Sequence, residues 1–167
     1  MGFSICYRST RPVSPAEAAA INRTAEAACQ GYTWLSCESL LLSIDDEDSH
    51  LHGSSKPNFH PHFEDVVSAA NERLPDGTVR NLLEVLCRIS REHSIDWEIS
   101  HDYSDGPIGY IRAGVCDADV QTQIEIFADV AEELSNLRDD KFFDRDMNDE
   151  DEDDEGPSIL PFRPKSD

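Results

Sequence analysis

Basic residues are scarce in this chain: 14 Lys and Arg stand against 35 Asp and Glu in 167 residues, a formal net charge of −21. A field of that sign repels phosphate backbones and anionic headgroups, so neither nucleic acid nor a membrane surface is an expected partner. Long apolar runs are missing too. The longest, Leu40-Leu41-Leu42 with Ile44, is strand-sized and far below the roughly 18–20 residues of a membrane span. Five cysteines (Cys6, Cys29, Cys37, Cys87 and Cys116) show no C-x-x-C or other paired spacing. Cys6, Cys29 and Cys87 fall in apolar or alanine-rich patterns, where a thiol packs as a small hydrophobe. The odd count and the absence of a leader-like start point to a reducing cytoplasm. No Gly-rich phosphate loop, nucleophile elbow or H-E-x-x-H pattern occurs, so the commonest signatures of nucleotide-binding and hydrolytic enzymes are missing.

What is present divides the chain in two. Residues 139–167 carry 12 Asp and Glu against 4 Lys and Arg, a net of −8, leaving 23 acidic and 10 basic residues, a net of −13, for residues 1–138. The first part reads as a single globular domain, acidic without its tail. The second reads as an acidic, disordered tail with an unbroken acidic run from Asp149 to Glu155. Ile159-Leu160-Pro161-Phe162 stands beyond that run as a small apolar knot.

Within 1–138 the periodicities predict an order β-α-β-α-α-β-β-α. Phe3, Ile5 and Tyr7 alternate with polar residues as a short strand. Ser14-Pro15-Ala16-Glu17 then starts a helix, with serine as N-cap, proline at the first helical position and glutamate three residues after the cap. Its inner face is mostly alanine through Ala18, Ile21, Ala25 and Ala28, so it has to pack closely against its neighbour. Residues 32–44 read as one or two strands, and 45–59 as a polar loop. Helical spacing returns in Phe63, Val66, Val67, Ala70 and Leu74. A second helical stripe follows in Val79, Leu82, Leu83, Leu86 and Ile89. The last runs through Val120, Ile124, Phe127, Ala131 and Leu134 after Asp117. The expected architecture is α+β: a small, mainly antiparallel sheet with helices largely on one face.

The stretch from Ile95 to Ile111 is the most informative. Ile95, Trp97, Ile99, His101 and Tyr103 alternate with polar residues, break at Ser104-Asp105-Gly106-Pro107, and resume at Ile108-Gly109-Tyr110-Ile111 as an antiparallel hairpin. It gathers His101, Asp102, Ser104 and Asp105 within about five residues, either the rim of a site or an ordinary polar turn. Alternation sends His101 and Asp102 to opposite faces, so the two do not form a dyad.

Three constellations carry candidate chemistry. His60-Pro61-His62 with Asp65 could offer two imidazoles and a carboxylate to a metal, but zinc takes three or four ligands and no second cluster completes the set. Asp144, Asp146, Asn148 and Glu155 reproduce the oxygen spacing of a calcium loop. Asp149 there replaces the turn glycine and Gly156-Pro157 the exit helix, so the expectation is only weak, diffuse binding of divalent cations and no resident cofactor. Cys116, just before a helix start, could form a nucleophile with His101. The plainer reading makes it a small residue at a tight turn.

Six aromatics, Tyr7, Tyr32, Trp34, Trp97, Tyr103 and Tyr110, fall on predicted strands. They either complete the core or line an open face. Aromatics on an acidic surface are suitable anchors for a basic protein. The expected function is therefore a non-catalytic, acidic protein-binding module, of the inhibitor, immunity or adaptor kind, with Trp97, His101, Tyr103 and Asp105 as contact residues. The alternative is a metal-dependent hydrolase using His60, His62 and a nearby carboxylate.

Overall fold

The alternation around Tyr7 becomes β1 (Ile5–Pro12), which turns Ile5, Tyr7 and Ser9 inward and leaves Cys6 and Arg8 partly exposed on the other side. The computed structural model describes residues 4–58, 61, 63–127 and 130. The expected acidic tail (139–167) and its calcium-like spacing lie outside those residues, as do His60 and His62.

After β1 come α1 (Pro15–Cys29), β2 (Ser43–Ile44), β3 (His50–Ser55), α2 (Phe63–Asn71), α3 (Val79–His93), β4 (Trp97–His101), β5 (Gly109–Arg112) and β6 (Val115–Cys116). A last helix, α4, is described over 118–127. The six strands form one sheet in the order β2-β3-β1-β4-β5-β6, every pairing antiparallel. The fold is α+β.

Local chemistry explains the helices. The Ser14 hydroxyl accepts from the Glu17 N–H at 3.2 Å, and Arg11 braces the same first turn by donating to both Glu17 carboxylate oxygens. Thr78 and Asn81 cap α3 reciprocally, satisfying donors that the first turn leaves without partners. The alanine face of α1 lets it pack against α3, and the two helices join the inward residues of β1, β3, β4 and β5 in one core cluster with Val120 and Ile124 of α4. The opposite face of the sheet carries Cys6, Arg8, His52, Ser54, Glu98 and Ser100, partly or fully exposed. There Arg8 pairs with Asp48 and sits 3.9 Å from Asp45.

Two expectations are corrected. Residues 32–42 are not a strand: only isolated bridges form, Thr33 with Asp76 and Cys37 with Pro57. Asp76 holds this segment by accepting from the Leu35 and Ser36 N–H groups and from the Ser36 hydroxyl, so a side chain does what a ladder would have done. Conversely, the presumed polar loop 45–59 contains β3, which sits in the sheet beside β1. Its inward residues are Leu51, Gly53 and Ser55, and the last two are small because the space above them is occupied. The Tyr7 hydroxyl donates to the Leu41 carbonyl at 3.2 Å and lies 3.0 Å from the Ser55 hydroxyl, drawing the 38–42 segment down over β3.

Gly53 is the position where that close approach admits no side chain. A methyl there would run into the Leu41 carbonyl oxygen and come 2.5 Å from the Tyr7 ring. Gly53→Ala is expected to cost about 2–3 kcal/mol by overpacking. Urea unfolding should show it as a lowered midpoint with an unchanged slope. A loss below about 0.5 kcal/mol would mean that the crossing segment yields, and that its packing is not specific.

Among the described residues no helix is long and apolar enough to cross a membrane.

Candidate functional site

Two pieces of chain build a notch of about 430 Å3 at one end of the sheet: the hairpin tip between β4 and β5, and the outward side of α4. The hairpin supplies His101, Tyr103, Ser104 and Asp105, and α4 supplies Asp119 and Gln123. Gly109 allows the two to meet, because a Cβ on it would stand 2.6 Å from the Val120 methyl. The Asp117 carboxylate ties the helix start to β5 by accepting from the Tyr110 N–H at 2.9 Å.

The tip is held by its own polar groups. Ser104 accepts from the His101 N–H at 3.1 Å, and its hydroxyl donates to the His101 carbonyl at 2.9 Å. Ser104 is thus bonded to the His101 backbone, a turn staple in place of a nucleophile–base pair. On the ring, Nδ1 accepts from the Tyr103 N–H at 3.1 Å. The neutral imidazole therefore carries its proton on Nε2, which faces the Gln123 side-chain oxygen at 3.4 Å. Phe127 of α4 meets His101 edge-on at 4.7 Å between centroids and stacks near Tyr103 at 6.3 Å. His101 is 7% exposed. It positions the tip and offers little surface of its own.

The expected contact residues separate accordingly. Tyr103 is 53% exposed and Asp105 is exposed, both at the rim of the notch. Trp97 is corrected: its side chain is 0% exposed, packed at right angles to Tyr7 with centroids 6.5 Å apart, and has no surface for a partner. The reason is register. Trp97 pairs with Ser9 and Ile111 in mid-sheet, on the face that α1 and α3 cover. Tyr7 belongs to the same core. Tyr32 and Trp34 lie in the 32–42 segment, where the indole donates to the Cys29 carbonyl at 3.0 Å. Tyr110 lies under the Arg112 guanidinium, 4.1 Å from its centroid.

The other candidates are not brought to this notch. Asp65 is exposed on α2, and its two expected histidine partners lie outside the described residues. Among the described residues no group of three or more His, Cys, Asp or Glu could hold a metal ion. Cys116 lines a different groove from His101. Burial, with Cys87 and Asp117 nearby, pushes its thiol up to about 11, so it stays protonated at neutral pH, in keeping with the plainer reading of it as a small residue at a tight turn. Sequence reasoning missed Asp119 and Gln123. The usable signal was their i, i+4 spacing on the polar side of a helix whose apolar side was already identified.

No protein-family model, no curated protein and no solved structure matches the chain.

Proposed function

We propose that this chain is a non-catalytic protein-binding module whose acidic, aromatic-bearing notch receives a basic partner. The observation that carries the reading is the composition of the notch: Tyr103 stands exposed at a rim that also holds Asp105 and Asp119, with no Lys or Arg among the lining residues. An exposed tyrosine beside carboxylates supplies a rigid apolar anchor together with charge that steers and orients a cationic surface. The net charge of −21 extends that steering beyond the notch. A Ser104 committed to the backbone of its turn and a protonated Cys116 support binding over covalent chemistry. The cysteines, all free, suit the reducing cytoplasm in which we place the protein.

The test is capture from native lysate on the immobilised chain at low and physiological salt, repeated with Tyr103→Ala and with Asp105→Asn plus Asp119→Asn. A saturable basic partner is expected, bound about tenfold or more weakly by Tyr103→Ala. The double aspartate variant should bind more slowly and respond less to salt. Absence of any saturable partner at either salt, or equal capture by all three chains, would end this reading.

A further inference from the structure

A second concavity, independent of the notch, lies between α3 and the first turns of α4. It is a groove of about 310 Å3, with Val79, Leu83, Cys87, Cys116 and Ile124 giving it an apolar lining and Glu84 and Glu125 exposed beside them. That volume is at the low end for ligand pockets, room for one or two side chains and not for a large cofactor. Arg80 also borders it, 89% exposed and 3.9 Å from Glu84, which leaves the rim with an acidic balance.

We propose that the apolar knot Ile159-Leu160-Pro161-Phe162 of the same chain docks in this groove, with Arg163 and Lys165 meeting Glu84 and Glu125. Charge complementarity singles out this segment. Residues 139–155 are strongly acidic and are repelled by an acidic body, whereas 156–167 hold two cations against one carboxylate side chain, next to an apolar cluster. Reach is ample. The groove is lined by Gln121, Ile124 and Glu125 of α4, and Val130, the last described residue, follows Glu125 by only five positions. The connection 131–158 has 28 residues, and a coil of that many residues has an end-to-end distance of roughly 30 Å. Linkage on that scale gives an effective concentration on the order of 1 mM. A second copy of the chain at micromolar concentration, itself charged −21, competes poorly with that. A knot that binds as a free peptide near 0.1 mM is then docked about ten times as often as not.

The experiment compares the full chain with its Leu160→Asp, Phe162→Asp variant, whose changes lie outside the described residues. Amide exchange over residues 79–87 and 120–125 is expected to become about tenfold faster in the variant, with shifts at the Leu83 and Ile124 methyls. A synthetic peptide of residues 156–167 should restore both, saturably, and less strongly with Glu84→Lys plus Glu125→Lys in the groove. Identical exchange in the two chains overturns the proposal. So does a peptide that leaves Leu83 and Ile124 unmoved, or protection that grows with protein concentration, which would assign the groove to another copy.

Discussion

Trp97→Ala is expected to lower the unfolding free energy by about 4 kcal/mol, among the largest single-residue effects available in this fold. The side chain is fully buried between its register neighbours Ser9 and Ile111 and lies edge-on to Tyr7. Removing it forfeits the transfer free energy of an indole and leaves a cavity in the middle of a six-stranded sheet, where pairing on both sides restrains collapse. For a domain of this size such a loss consumes a large part of the total stability. Trp97→Phe separates packing from polarity. The indole N–H is buried with no hydrogen-bond partner among the described residues, and an orphan donor costs roughly 1–3 kcal/mol. Phenylalanine removes that donor while keeping most of the ring, so its cost should stay below about 1.5 kcal/mol. Chemical denaturation measures both. An alanine variant losing less than about 1.5 kcal/mol, or a phenylalanine variant as damaged as alanine, would contradict a close-packed Trp97 at mid-sheet.

Stability is also expected to collapse in alkali, between pH 9 and 12. Burial pushes the Tyr7 hydroxyl from 10.0 up to about 12, partly countered by its hydrogen bonds to Ser55 and Leu41. Burial, then the nearby Glu38 and Asp76, push the Cys37 thiol from 9.0 to about 12. Both groups are neutral acids whose folded pKa lies above the unfolded one. The unfolded chain therefore releases its protons first, at about 9 and 10, while the folded chain holds them. Their contribution is complete below pH 9 and falls as pH rises toward 12. At about 1.4 kcal/mol per pH unit per group, the combined loss is on the order of 7 kcal/mol. Urea midpoints taken every half unit from pH 8 to 12 should fall steeply, and Tyr7→Phe should flatten the part of the curve above pH 10. A midpoint unchanged up to pH 11.5 would contradict the buried state of both groups.

How much could be read beforehand depended on whether local and tertiary demands agreed. At α1, cap, proline and glutamate coincide with the alanine face that packs on α3. At β4 the burial alternates strictly, and the hairpin follows. At β3 they disagree: His50-Leu51-His52-Gly53-Ser54-Ser55 has little strand propensity, yet it lies beside β1 because a segment arriving from residue 41 fills the space its side chains leave. No pattern within six residues records a neighbour twelve positions away. The same holds for the notch. Its hairpin half was legible as a turn rich in polar groups, whereas its α4 half depended on Gly109 admitting Val120. Trp97 illustrates the ambiguity of an aromatic on a one-layer sheet, since alternation shows which residues share a face but not which face is covered.

The sheet order has a temporal consequence. β1 lies between β3 and β4, with Ile5 opposite both Ser55 and His101. During synthesis it acquires its second neighbour only after about a hundred residues have been made, on the order of 5–20 s at ordinary elongation rates. Until then Tyr7 and Ile5 lack the strand that encloses them on that side, and the pairing that closes the sheet is the one with the greatest loop to close. A nascent chain halted after α3 would hold a half-framed strand. That makes the interval before β4 emerges the time at which this fold is most exposed to pairing with the wrong edge.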